Sequence, residues 1–124
     1  MGCRNNIDSE FEDSYKEFKK SFLSATEFIQ KDKDLEKALA TIDHKLMSDD
    51  MEVMKNVYDQ MGSLLKTDKE KGIYGNVTIY YQEVKFIEYA AKNFNNLTID
   101  EKRELLLNAM SIKSDRESIL KGEV

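Results

Sequence analysis

Apolar residues recur every three or four positions along almost the whole chain, and that spacing admits few folds. Phe11, Tyr15, Phe18, Phe22, Ala25 and Ile29 follow one another at intervals of 4, 3, 4, 3 and 4. An α-helix turns once in 3.6 residues, so these side chains share one face. Leu35, Leu39, Ile42 and Leu46 repeat at 4, 3 and 4. Met47, Met51, Met54, Tyr58, Met61 and Leu65 then open a second row, one position out of phase. Ile73, Val77, Tyr80, Val84, Ile87, Ala91 and Phe94 form the longest row. No proline interrupts any of them, and proline is the strongest helix breaker. Each row must bury one face. The expected fold is therefore all-α, an antiparallel bundle of four to five helices.

Polar breaks and capping signals divide the chain. Ser9-Glu10-Phe11-Glu12 fits a capping box, in which a hydroxyl and a carboxylate satisfy amide donors at a helix start. It predicts a helix over 9–31. The phase shift between Leu46 and Met47, followed by Ser48-Asp49-Asp50, predicts two helices between 35 and 65 with a bend there, Asp49 and Glu52 capping the second. One long helix with a shifted row is the alternative. The polar run 66–72 reads as the main linker. The run 76–81 is β-branched and aromatic, which favours a strand. Seven in-phase positions outweigh it, and a lone strand would have no partner, so 73–95 is expected to be helical. Thr98-Ile99-Asp100-Glu101 caps a helix carrying Leu105, Leu106, Ala109, Met110 and Ile112. Ser114 to Glu117 can cap a last short helix, with Gly122 at its end. The expected organisation is one domain over 9–121, preceded by a flexible polar tether over 1–8.

Composition then removes whole classes of function. There is one Cys and one His in 124 residues, and no Trp. A disulfide framework needs paired cysteines, and a Cys/His zinc site needs about four ligands. Inward Glu-x-x-His motifs, the signature of a di-iron bundle, are missing. Nineteen basic residues against 24 acidic ones leave a net charge of −5, with the signs interspersed. No basic stripe offers itself to nucleic acid. No apolar run approaches the ~20 residues of a membrane span. No cofactor is implied.

The only cysteine lies at the extreme N-terminus. Gly2-Cys3 resembles the end of a bacterial lipobox, in which a small residue precedes the cysteine that is lipidated. The resemblance implies a lipid on Cys3 and the polar residues after it as a tether. Met1-Gly2-Cys3 also resembles a dual-acylation signal, with myristate on Gly2 and palmitate on Cys3. That pattern wants Ser or Thr at position 6, where this chain has Asn6. The third reading is an exposed cysteine without modification.

Few residues offer chemistry. His44 neighbours Asp43, but adjacent helical residues do not face each other, so Asp43 cannot orient it. Asp32, Asp34 and Glu36 suggest calcium, yet the sixth position of such a loop must be Gly and here is Lys37. Met47, Met51, Met54 and Met61 could be thioether ligands for copper. At helical spacing they read as packing residues. Met47, Met51 and Met54 could alternatively line an adaptable groove for a partner helix. Tyr74, Tyr81 and Tyr89 lie near one helix face and are candidate contacts with a partner protein. Asn76-Val77-Thr78 and Asn96-Leu97-Thr98 match the glycosylation sequon, which matters only in a secretory eukaryote.

The expected function is that of a non-enzymatic bundle held at a bacterial cell surface through Cys3. It would bind another protein in an immunity, exclusion or assembly role, and self-association through helix faces stays open. A cytosolic inhibitor, chaperone or adaptor is the alternative. An enzyme working with carboxylates between helices is the third reading.

Overall fold

In the computed structural model, residues 7–123 are described. They form five α-helices: α1 (Ser9–Ala25), α2 (Leu35–Ala40), α3 (His44–Ser63), α4 (Asp68–Lys92) and α5 (Ile99–Leu120). Short 3₁₀ turns follow α1 at Glu27–Gln30 and α4 at Phe94–Asn96. Among the described residues there is no strand. The ambiguous run 76–81 lies inside α4, so periodicity overrode propensity.

The four long helices alternate in direction. Ser24, near the end of α1, donates to Asp50 near the start of α3 at 2.6 Å. At the other end Lys66 pairs with Asp8 at 3.1 Å. Tyr58 of α3 meets Thr78 of α4 at 2.7 Å. Asn108 of α5 donates to the Glu83 carbonyl of α4 at 3.0 Å. The core runs through all of them: Phe11, Phe18 and Phe22 from α1, Met54 and Met61 from α3, Val77, Val84 and Ile87 from α4, Ile112 from α5. α5 packs chiefly on α4 and flanks the bundle instead of closing it.

Several boundaries differ from expectation, each for a physical reason. Asp8, not Ser9, caps α1, its carboxylate accepting from the Glu10 amide at 2.8 Å. Ile7 and Asp8, assigned to the tether, are anchored: Ile7 packs on the core, and the Asp8 amide donates to Glu70 at 2.8 Å. Helix α1 stops at Ala25 rather than continuing to 31; there Thr26 returns its hydroxyl to the Phe22 carbonyl at 2.6 Å, and Arg116 of α5 takes the Leu23 carbonyl at 2.6 Å. The 35–65 region is two helices, but the break lies at 41–43, not 46–50. Asp43 caps α3 through the Leu46 amide at 3.0 Å, and Asp49 sits inside the helix paired with Lys45. The presumed linker 66–72 is mostly the first turn of α4. Thr67 and Glu70 form its capping box. Ser114 starts no new helix, since α5 runs unbroken to Leu120. Gly122 then takes a positive φ of 76°, a conformation that disfavours a side chain. The Thr98–Glu101 capping box forms as expected.

Candidate interaction surface on the outer helix

The side chains singled out by sequence separate into three settings. Met47 and Met54 fill the core, 2% and 0% exposed, instead of lining an open groove. Met51 is half-buried and packs against that core. Tyr74 and Tyr81 are half-buried on either side of Tyr58. The Tyr58 ring stacks on Tyr74 at 4.5 Å and on Tyr81 at 5.6 Å between centroids. This stack joins α3 to α4. It depends on Gly62, where an added Cβ would lie 2.7 Å from the Tyr74 hydroxyl oxygen. Burial and the Tyr58 hydroxyl push the Tyr74 pKa up to about 12. Tyr89 stands apart and exposed, donating to Glu101 at 3.1 Å. The tyrosines therefore do not converge on one patch. Cys3 lies outside the described residues.

The other candidate groups are equally dispersed. His44 is exposed on the first turn of α3, and the neighbouring Asp43 carboxylate is engaged with the backbone. Among the described residues no three His, Cys, Asp or Glu side chains are placed to hold a metal ion. Among the described residues no helix is long and apolar enough to cross a membrane.

A buried carboxyl on α4, Glu83, meets the half-buried Asp115 of α5. Glu83 is 8% exposed, and its Oε1 has no hydrogen-bond partner. Burial, then the hydrogen bond and charge of Asp115, push the Glu83 pKa up to about 9. Burial thus favours the protonated form of Glu83. Beside it, Arg116 is buried without a carboxylate contact. Its guanidinium donates to the Leu23 carbonyl at 2.6 Å and to Thr26 Oγ1 at 2.8 Å. These contacts hold α5 against α1 and α4.

What α5 offers outward is hydrophobic. Its inward row is Leu105, Ala109, Ile112 and Arg116. A second row faces away: Ile99, Leu106 and Met110, with Leu107 beside it, are 73%, 56%, 66% and 65% exposed. Adjacent helical residues point about 100° apart, so Leu105 and Leu106 cannot both reach the same neighbour. Along the Leu106 flank runs a groove of about 250 Å³ lined by Leu35, Phe94, Leu105 and the stem of Lys102, with Asp34 and Glu36 at its rim. The Lys102 ammonium lies 5.5 Å over the Phe94 ring. Exposed aliphatic knobs beside an apolar groove are the features of a protein-contact surface. The sequence carried a signal for it: Leu105-Leu106-Leu107 and Ala109-Met110 hold more apolar residues than one buried stripe needs.

No protein-family model matches this chain, and no curated protein and no solved structure matches it.

Proposed function

We propose that this protein is a non-enzymatic helical bundle that works by binding protein through the outward face of α5, held at the bacterial cell surface by a lipid on Cys3. The observation that carries the binding reading is the row Ile99, Leu106, Leu107 and Met110, solvent-facing beside an apolar groove. Isolated exposed leucines are ordinary on protein surfaces, but a contiguous group beside a groove is not. Gly2-Cys3, followed by polar residues, supports attachment. An immunity, exclusion or assembly role suits a small acidic bundle so placed.

The test is extraction of the protein from membranes of its own cells in mild detergent. The wild type is expected in the membrane fraction and in a complex larger than the 14.4 kDa chain. Met110→Glu should leave the membrane fraction unchanged and release the free chain. Cys3→Ser should move the protein out of the membrane fraction. A wild type recovered only as the free chain contradicts the binding reading; a Cys3→Ser protein still at the membrane contradicts the tether.

A further inference from the structure

We infer that the occupant of the α5 face is a second copy of this chain, the two α5 helices pairing antiparallel about a two-fold axis. The inference rests on the reading of α5 as a contact face and names what covers it.

The first argument is area. The four exposed aliphatic residues present a patch on the order of 500 Å², at the upper end of what a monomer leaves in one place. The flanking parts of Arg103, Lys113 and Ser114 extend the patch toward the roughly 800 Å² per partner that a standard stable interface buries.

The second argument is self-complementarity, which a two-fold interface requires because the same patch serves both copies. Bringing Leu106 of one copy against Met110 of the other repeats that contact on both sides of the axis. An antiparallel two-fold pair also leaves each flank of a helix facing the same flank of its mate. Lys102, Leu106 and Lys113, spaced by 4 and 7, lie on one flank, and the apolar groove opens on that flank. In this register Lys113 of the second copy arrives level with Arg103, at the groove mouth. The rim there carries the carboxylates of Asp34 and Glu36. Asp34 holds the N-terminus of α2, and Lys102 is turned onto the Phe94 ring, which leaves Glu36 to meet the incoming ammonium. Within one chain Lys113 is about 16 Å further along α5 than Lys102, too far to serve those acids itself. The pairing therefore sets apolar residues against apolar residues and Lys113 of one copy against Glu36 of the other.

Sedimentation equilibrium of the full chain between 5 and 200 µM (concentrations spanning a micromolar dissociation constant) tests this. The expected result is a reversible dimer. Leu106→Glu and Met110→Glu should each be monomeric, with helicity unchanged and an unfolding midpoint equal to that of the wild type at dilutions where the wild type is itself monomeric. Lys113→Glu should weaken the dimer at least five-fold. Adding Glu36→Lys to Lys113→Glu should restore it, a rescue that only a contact between copies produces. A monomer at 200 µM, or a dimer indifferent to Met110→Glu, overturns the inference. If the chain is monomeric and the membrane-extracted complex is still lost with Met110→Glu, α5 remains the contact face and its occupant is another protein. If that complex is indifferent too, both readings fall.

Discussion

Glu70 and Glu83 lie on the same helix and are driven in opposite directions by their surroundings. Glu70 accepts the amides of Asp8 at 2.8 Å, Lys66 at 2.9 Å and Thr67 at 3.0 Å. These donors favour the carboxylate and hold its pKa below the usual 4.5, the Asp8 amide most strongly. Glu83 has no such donors, and burial raises its pKa to about 9. The two signs give opposite pH dependences. The Glu70 contribution starts to fall as pH drops through about 4.5, where the unfolded chain takes up its proton, and is gone once the folded carboxylate follows at lower pH. For Glu83 the folded state holds a proton that the unfolded chain releases, so stability declines as pH rises from 4.5 toward 9. Urea denaturation across pH should show both limbs. Glu70→Gln should flatten the acid limb. Glu83→Gln should flatten the alkaline decline and add about 1 kcal/mol or more at pH 8; an unchanged slope would contradict the protonated assignment. Gly62→Ala tests a different residue-scale constraint. Alanine is the better helix former by about 1 kcal/mol. Its Cβ would nevertheless collide with Tyr74, and the variant should be destabilised by about 1–3 kcal/mol with a changed near-ultraviolet tyrosine signal.

At the scale of elements, the helices were legible and several of their ends were not. The 3/4 spacing located every long helix because it records which face is buried. The stop at Ala25 was hidden because its determinant is remote: Arg116, at the far end of the sequence, binds the Leu23 carbonyl and Thr26. It satisfies carbonyl groups that a helix C-terminus leaves open. Arg116→Met should cost about 1–3 kcal/mol in chemical denaturation if those acceptors are stranded, and a loss well below about 1 kcal/mol would show that water replaces it. The start of α4 was missed for the opposite reason. Its signal, Thr67 followed by Glu70, stood within the polar run 66–72, where charge density read as linker. Acidic residues in a first turn are what a helix N-terminus favours. Thr98→Ala at the corresponding cap of α5 should cost about 1 kcal/mol.

For the whole molecule, the buried rows account for the bundle and leave one row over. Four long helices alternating in direction satisfy the faces of α1, α3 and α4. Helix α5, on the flank, buries one row and exposes another. Sequence reading placed the contact surface on the tyrosines and methionines because their chemistry suits interfaces. It could not see that Tyr74 and Tyr81 would be occupied by Tyr58, or that Met47 and Met54 would fall inside. The α5 row was visible as a surplus of leucines, but which row faced inward depended on the packing of α4. The central claim is that this outward row is covered by protein in the cell. Photo-crosslinking from a photoreactive residue placed at Leu107, against a control at the exposed Gln60 of α3, measures it directly. The account predicts a discrete protein adduct from position 107, lost when Met110→Glu is added, and none from position 60. Equal yields from the two positions, or no adduct at 107, would contradict it.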